Sequence, residues 1–473
     1  MIRKSVLFLK FRVFRSRKRC LKINQEETVV RTEAPYIPLG IFKLRLPFVH
    51  YRWEMPETIQ ALFLFSVAMA AIPIIQDAFP WVSFEVAWTA VFWFTLVFWI
   101  TGALGDPTVP GWITAAIPVT LLYVKSFPGD AERVWAMTSV QLVLAALCLI
   151  TGPTGLADWL NKRVPVCIRS GIVLGAGISA IIGELNTGGR FMKAPVGIAV
   201  ATFLSFYLLW SLTFKSLQNK SPLAKALGRY GYVPALIAGS LVALLFNEVP
   251  MPKVEWGIFI PHIKEGFATM TVFGYGFPPL MHLVKAIPTA VVVYVILYGD
   301  WLIIDALRTE AIQQRKDEHI DFSIARSSVI TAFRNAWNAI FAPYATTCGP
   351  LWAGVTVSIY ERYKGGRQNM PTIWGGLMSF QHWWPIFVFI VPLITLMKPF
   401  LIIAASSTLL IQGFACSYIA MAMSRNREDL GIAGVVGVVL WKYGAAGALG
   451  VGFLLWLLLL YRPKDKDSAK LSS

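Results

Sequence analysis

The chain has few charged residues for its length. Of its 473 residues, 15% are charged and 56% are hydrophobic, whereas soluble globular domains average ~25% charged residues. Its uncharged runs reach the ~20 residues that a helix needs to cross the ~30 Å hydrocarbon core of a bilayer. This composition excludes an ordinary soluble protein and indicates a polytopic, all-α membrane protein.

Cysteine and histidine are also scarce and scattered. The cysteines show no CxxC spacing and the histidines form no HExxH cluster, so we expect no disulfide framework and no metal site. No other cofactor is expected. The residues concerned are Cys20, Cys148, Cys167, Cys348 and Cys416, and His50, His262, His282, His319 and His382.

Positive charge is abundant, with a net charge of +17. Of the 43 Lys and Arg residues, 13 lie in the first 57 residues, and most others lie between apolar segments. This distribution is typical of the positive-inside rule rather than of nucleic-acid binding. The expected partners are therefore the lipid bilayer and a small-molecule or anion substrate, with no nucleic acid.

Apolar windows predict about fourteen spans. With both termini in the cytoplasm, 32 Lys and Arg residues fall on the cytoplasmic side and about nine on the other, as the positive-inside rule requires. We therefore expect a multi-pass protein of the cell (inner) membrane. The spans are 58–76, 83–104, 109–125, 134–151, 166–184, 195–214, 231–248, 286–307, 325–341, 345–361, 372–392, 399–422, 430–442 and 445–461.

Two sets of seven spans lie in opposite orientations, the setting for an inverted repeat. The segments Gly105 to Val119 and Ala342 to Val357, at the starts of the third and tenth spans, place glycine and proline where each helix should begin. Each predicts an extended stretch followed by a half-helix. Such half-helices present partial positive charge and free N–H groups to a solute at the middle of the membrane.

The most informative charged residue is Asp300, inside the apolar span 286–307. An ionised carboxylate there costs roughly 2.5 to 3.5 kcal/mol, so it indicates a functional site. Arg334 lies inside the ninth span, and we expect it either to neutralise Asp300 or to attract an anion. By contrast, Asp305 is expected to pair with Arg308 at a helix end, and Glu184 is expected to be an interfacial charge.

Three segments resemble the nucleobase/ascorbate transporters, such as the bacterial uracil permease. They are "PETIQALFLFSVAMAAIPII" (Pro56 to Ile75), "IPTAVVVYVILYG" (Ile287 to Gly299) and "RSSVITAFRNAWNAIFAPYATTCG" (Arg326 to Gly349). The sulfate permeases and the hypoxanthine-type permeases share that fold. The resemblance implies a 7+7 inverted repeat with core and gate domains, and it implies a homodimer by analogy.

The implied organisation divides the chain into six parts. A basic cytoplasmic arm (1–55) is followed by the first half of the core domain (56–151) and of the gate domain (152–280). The second halves are 281–395 for the core and 396–462 for the gate, and a cytoplasmic tail (463–473) follows.

The resemblance also implies where substrate binds, but this chain departs from the nucleobase transporters there. Ile296 and Pro350 stand where those proteins have substrate-binding glutamates, and Asp300 lies one helical turn after Ile296, on the same face. Asp300 matches the position of the acid in the sulfate-permease group. The predicted substrate-binding residues are Gln60, Thr114, Asp300, Thr346, Thr347, Cys348 and Gly349, and the predicted coupling or charge pair is Asp300 with Arg334.

The leading functional hypothesis is a secondary transporter, coupled to H⁺ or Na⁺, that moves a nucleobase-like polar solute by an elevator-like or rocking movement. The alternative is a transporter or exchanger of a small anion such as sulfate, bicarbonate or a carboxylate. Two further classes are an intramembrane aspartyl protease, for which "LYGD" and "ALGD" lack the first glycine of its GxGD motif, and a channel or scaffold. We expect no enzymatic activity.

Overall fold

The computed structural model describes residues 32–156, 163–229, 233–343, 346–424 and 426–460. This part of the chain is mostly helical, with six two- or three-residue strands. The α-helices are Met55–Met69, Ala71–Ala78, Phe84–Leu96, Ile100–Ala103, Ile117–Lys125, Asp130–Thr151, Val166–Leu185, Pro195–Trp210, Leu212–Lys220, Pro222–Arg229, Val233–Leu245, Ile263–Met270, Val272–Tyr275, Leu280–Gln314, Ile324–Phe341, Ala353–Lys364, Ile373–Gln381, Trp384–Phe387, Val391–Met397, Leu401–Met423 and Arg427–Leu459.

Seven helical segments within the described residues are long and apolar enough to cross a membrane. A bent pair, Pro195–Trp210 with Leu212–Gln218, turns by 63° and would make an eighth. The membrane-protein class is therefore confirmed, whereas the count of fourteen spans stays a prediction. The seven segments are Met55–Ala78, Phe84–Ala103, Asp130–Thr151, Val166–Lys193, Leu280–Gln314, Val391–Met423 and Arg427–Leu459.

One predicted break is observed and one predicted boundary differs. The predicted span 430–442 and residues 445–459 of the next span form two helices within Arg427–Leu459, which meet at a kink at Gly444. Gly444 has φ of 78° and ψ of −175°, a conformation open to glycine because it has no Cβ. The predicted span 399–422 corresponds to a longer apolar segment, Val391–Met423.

A pair of short strands lies at the centre of the fold. Strand β4 (Gly111–Trp112) pairs antiparallel with β6 (Cys348–Gly349), in the register Gly111 with Gly349 and Trp112 with Cys348. The backbone N–H of Ile113 donates to the carbonyl of Thr347 at 2.9 Å, which extends the pairing by one residue. Two sequence-distant segments rich in glycine and proline thus satisfy each other's backbone groups inside the protein, as buried backbone requires.

The described part of the predicted N-terminal arm packs on the helical body. Strand β1 (Thr32–Glu33) pairs parallel with β5 (Glu318–His319), and β2 (Ile37–Leu39) forms a hairpin with β3 (Phe42–Leu44). In the loop before the helix Ile324–Phe341, Asp321 accepts from Lys43 at 2.9 Å and from Arg326 at 2.8 Å. Residues 1–31 and the predicted tail 463–473 lie outside the described residues.

Replacing Asp321 with Asn should loosen this N-terminal segment. Burial raises the pKa of Asp321, but hydrogen bonds and charge from Arg326 and Lys43 outweigh it and lower the pKa to about 2. Because the folded-state pKa is depressed, this carboxylate stabilises the protein above its unfolded pKa of about 4, and the stabilisation is lost as pH falls through about 2. We expect Asp321→Asn to cost about 1–3 kcal/mol at pH 7 and to speed proteolysis between 32 and 54. Unchanged thermal stability and proteolysis would contradict this expectation.

Candidate functional site

A cavity of about 400 Å³ lies beside the strand pair. Residues that are far apart in the sequence line it, including residues of the predicted third, eighth and tenth spans. Segments near Val67, Phe94, Trp210, Trp384 and Gln412 complete the enclosure. Each of the strands β4 and β6 is followed by a helix, and we call these two segments the strand–helix units. The lining residues that belong to them are Gly111, Trp112, Ile113, Thr114, Ala115, Leu351, Trp352, Ala353 and Gly354.

Asp300 supplies the single acidic side chain among the described lining residues. Its helix, Leu280–Gln314, also presents Ile296 and Ile303 to the cavity, as the i, i+4 and i, i+3 spacings dictate. One carboxylate oxygen of Asp300 lies 3.2 Å from the position that a Cβ on Gly349 would occupy. Within the described residues, no salt bridge involves Asp300, so its carboxylate is available to a ligand.

Two helices begin at the cavity without a side-chain cap. The helix Ala353–Lys364 follows Trp352, and the 3₁₀ turn Thr114–Ala116 follows Ile113 and leads into the helix Ile117–Lys125. Neither Trp352 nor Ile113 makes a side-chain capping hydrogen bond. The first N–H groups of a helix have no partner within it and carry partial positive charge, so both starts favour an electronegative group in the cavity.

Behind the strand pair, the helix Ile324–Phe341 holds the strand β6 with three polar side chains. Asn335 exchanges two hydrogen bonds with the backbone of Cys348, at 2.9 and 3.0 Å, as a neighbouring strand would. Asn338 donates to the Cys348 sulfur at 3.1 Å, and Arg334 donates to the Gly349 carbonyl at 2.8 Å. These contacts fix the position of Gly349 against Asp300.

Arg334 is fully buried, and its Nε and second Nη atoms have no hydrogen-bond partner among the described residues. Its guanidinium lies 5.7 Å from the ring centroid of Phe94, which lines the cavity. No described acidic side chain forms a salt bridge with it. A positive charge therefore lies directly behind the cavity wall.

Comparison with solved structures identifies the fold. The transmembrane domain of a cyanobacterium bicarbonate transporter, BicA, matches with a TM-score of 0.50 and 15% identity, over 85% of this chain and 99% of that one. The chain has the fold that the uracil permease shares with the sulfate permeases. The fold expected from the three sequence segments is thus confirmed.

Two further structures are similar. SLC26A9 matches at a TM-score of 0.49 and 12% identity, over 86% of this chain and 66% of that one. Murine Solute Carrier 26 family member A9 matches at 0.44 and 11%, over 86% and 69%. No protein-family model and no curated protein sequence matches the chain.

The structure brings some of the predicted site residues to the cavity and leaves others outside it. Thr114 and Asp300 line the cavity. Thr346 and Thr347 are buried at the start of the strand segment, and their hydroxyls have no hydrogen-bond partner among the residues described. Gln60 does not line the cavity, since its amide donates to Ser358 at 3.4 Å.

The structure shows the contacts of the charged residues that the sequence singles out. Asp300 and Arg334 form no direct ion pair within the described chain, and both instead approach Gly349. Glu184 is buried in the protein and pairs with Arg190, which also contacts Asp77 at 3.2 Å. The expected pair of Asp305 with Arg308 is present at 2.8 Å.

A buried ion pair between Asp106 and Arg326 was missed in the sequence. Asp106 is fully buried and accepts from Arg326 at 3.3 Å, while Arg326 also donates to the Gly105 carbonyl at 2.8 Å. The sequence does show a charged residue near the start of each of two predicted spans, Asp106 before 109–125 and Arg326 in 325–341. Because the partners are 220 residues apart in sequence, spacing alone could not join them.

Adding one methyl group at Gly349 should disturb the site. A Cβ there would lie 3.0 Å from the Ile113 side chain and 3.2 Å from the Asp300 carboxylate, so both side chains must shift by a few tenths of an ångström. We expect Gly349→Ala to lower substrate uptake by roughly 10- to 100-fold, as displacements below 1 Å do in precisely assembled sites. Gly299→Ala is the matched control, because a Cβ at Gly299 meets no atom within 4 Å. Equal uptake by both variants would contradict the proposed packing.

Proposed function

We propose that this protein is a secondary transporter of a small anion, coupled to H⁺ or Na⁺. The observation that carries the proposal is the cavity into which two uncapped helix starts and the carboxylate of Asp300 converge. The fold neighbour BicA is described as a bicarbonate transporter, which agrees with this choice of substrate class.

The helix starts supply the attraction for an anion. The first N–H groups of a helix have no partner within the helix, and a long helix carries up to about half a positive charge at this end, which makes helix N-termini common anion sites. Arg334, behind Phe94 and bonded to the Gly349 carbonyl, adds a full positive charge to the same wall. These groups favour an anion over a neutral solute.

Asp300 supplies the reason for cation coupling. An ionised carboxylate in the same cavity repels an anion, and like charges at 4 Å cost about 4 kcal/mol at an effective dielectric constant of ~20. A proton or a sodium ion bound at Asp300 removes this repulsion. Anion and cation therefore bind more tightly together than separately, which is the thermodynamic requirement for symport.

The cavity lies between the two proposed domains. Thr114, Asp300 and Trp352 belong to the predicted core, whereas Trp210 and Gln412 belong to the predicted gate. The two strand–helix units are the proposed broken third and tenth spans of a fourteen-span inverted repeat. Movement of the core against the gate would carry the bound solute across the membrane.

An ion-pair network joins the proposed domains at the end of the helices opposite the N-terminal segment. Asp77 of the core accepts from Lys125 at 2.6 Å and from Arg190 of the gate at 3.2 Å. The cavity instead includes Ile303, farther along the Asp300 helix toward its predicted cytoplasmic end.

A nucleobase-like solute is the second candidate, because flat aromatic side chains line much of the cavity. The missing glutamates at Ile296 and Pro350 argue against it. An aspartyl protease is disfavoured, because Asp106 is paired with Arg326 and does not line the cavity with Asp300.

Uptake into proteoliposomes tests the proposal. The purified protein is reconstituted, and uptake of labelled bicarbonate, sulfate, benzoate and uracil is followed with and without an inward H⁺ or Na⁺ gradient. We expect saturable, gradient-dependent uptake of at least one anion and none of uracil. Uracil uptake alone would support the second candidate, and gradient-independent, non-saturating flux would indicate a channel.

A further inference from the structure

We infer that the transported anion is organic, with a planar apolar body attached to its charged group, rather than a small inorganic oxyanion. This inference rests on the proposed function and names the substrate class of the same cavity. An aromatic carboxylate is the simplest example. Three features of the cavity carry it: the aromatic wall, the placement of the polar groups, and the lack of a lysine, arginine or histidine among the described residues that line it.

The cavity wall is rich in aromatic rings held in a fixed arrangement. Trp384 stacks on Phe98 with centroids 4.3 Å apart and planes 4° apart, and it meets Trp352 edge-on at 5.5 Å and 82°. The stacked pair of Trp384 and Phe98 is buried, and the edge-on contact with Trp384 holds the half-buried ring of Trp352 in place. The aromatic lining residues are Phe94, Phe98, Trp112, Trp210, Trp352 and Trp384.

The polar lining groups are concentrated near the strand pair. Asp300, Thr114 and the two helix starts lie together there. On the opposite, gate wall the polar side chains are Thr408 and Gln412, and the Gln412 amide is engaged with the Cys416 sulfur at 3.2 Å. A ligand whose charge is confined to one end fits this division.

The described lining residues include no lysine, arginine or histidine. A compact oxyanion is hydrated on all sides, and burial without compensating hydrogen bonds is costly. Aromatic walls cannot replace that hydration. A planar apolar body gains from leaving water and from offset or edge-on ring contacts, and a cavity of about 400 Å³ has room for one.

A panel of ligands tests separately whether the negative charge and the aromatic ring of the substrate contribute to binding. Thermal stability and direct binding of the full-length protein in detergent are measured with benzoate, benzamide, acetate, bicarbonate and uracil, at one pH and with Na⁺ present. Benzamide keeps the planar body without the charge, and acetate keeps the charge without the ring. We expect benzoate to bind at least tenfold more tightly than any of the other four.

The other outcomes of this experiment distinguish failure of the inference from failure of the proposed anion transport. Acetate or bicarbonate binding as tightly as benzoate would overturn the inference and leave the proposed anion transport standing. Benzamide or uracil binding as tightly as benzoate would overturn anion transport itself. Binding by none of the five would overturn the inference, and the uptake assay with sulfate would then decide whether the proposed anion transport stands.

A variant on the gate side tests the aromatic wall. Trp210→Leu removes one ring from the cavity, and Trp210→Phe restores one. We expect Trp210→Leu to weaken benzoate binding at least fivefold with acetate binding unchanged, and Trp210→Phe to recover most of the loss. Phe203→Leu is the matched control, since Phe203 lies on the same helix, is 71% exposed and does not line the cavity. Equal benzoate affinity in all three variants would contradict the aromatic wall.

Discussion

Replacing Asp300 with Asn is expected to abolish gradient-driven uptake. Asparagine has nearly the same shape, but it can neither release a proton nor bind Na⁺ as a carboxylate does. Charge-assisted contacts contribute about 1.5–3 kcal/mol, so we expect a loss on the order of 100-fold in the rate of uptake at limiting substrate. Anion exchange without a gradient should survive in part, because Asn resembles the neutralised carboxylate.

Asp305→Asn is the control for this experiment. Asp305 lies on the same helix, but its side chain is 52% exposed and pairs with Arg308 outside the cavity. Its replacement should leave uptake within about twofold of the unmodified protein, because exposed ion pairs contribute about 0–1 kcal/mol. Full gradient-driven uptake by Asp300→Asn would remove Asp300 from the coupling step.

The same variant identifies the coupling ion. If Na⁺ is the ion, anion binding to the unmodified protein should tighten with Na⁺ concentration, and Asp300→Asn should lose that dependence. If H⁺ is the ion, binding should tighten as pH falls, with no Na⁺ dependence. Binding titrations at two Na⁺ concentrations and two pH values separate the two.

The sequence could predict that Asp300 and the two glycine- and proline-rich segments belong to the candidate site, because such residues are unusual in membrane-spanning helices. A carboxylate in an apolar helix is costly, and irregular backbone at membrane depth is tolerated where it is buried in protein or lines a cavity. Both signals are local in sequence. The structure places Asp300 beside Gly349, inside one of these segments.

Pairwise contacts could not be predicted in the same way. Arg334 was expected either to neutralise Asp300 or to attract an anion, and its guanidinium is directed to the Gly349 carbonyl and toward Phe94 rather than to Asp300. Gln60 was expected at the substrate, yet its amide faces Ser358. Helical spacing predicts which face of its helix a residue occupies. The packing of the helices determines which residues that face contacts.

The aromatic lining of the cavity could not be predicted from the sequence, for a different reason. Its rings come from segments near Phe94, Trp112, Trp210, Trp352 and Trp384, and aromatic residues make up 14% of the chain. Most of them pack in the interior or face lipid. Only the arrangement in space distinguishes those that line the cavity.

Replacing Arg334 with Gln is expected to abolish anion uptake while leaving the protein at least as stable. At a separation of roughly 6 to 8 Å, a unit charge contributes about 2–3 kcal/mol to anion binding at an effective dielectric constant of ~20, which corresponds to roughly 30- to 150-fold in affinity. The guanidinium is buried without a counter-ion in the described chain, and burial of an unpaired charge opposes folding. Neutralising it should therefore not lower the melting temperature.

This opposition between stability and uptake is what distinguishes a substrate-attracting arginine from a structural one. If Arg334 serves only to hold the Gly349 carbonyl at 2.8 Å, its loss should lower stability and uptake together, and Arg334→Lys should restore neither fully. If it attracts the anion, Arg334→Lys should recover a large part of the uptake, because it keeps the charge and loses only the planar hydrogen-bonding geometry. Melting temperature and anion uptake measured on both variants decide between the two roles.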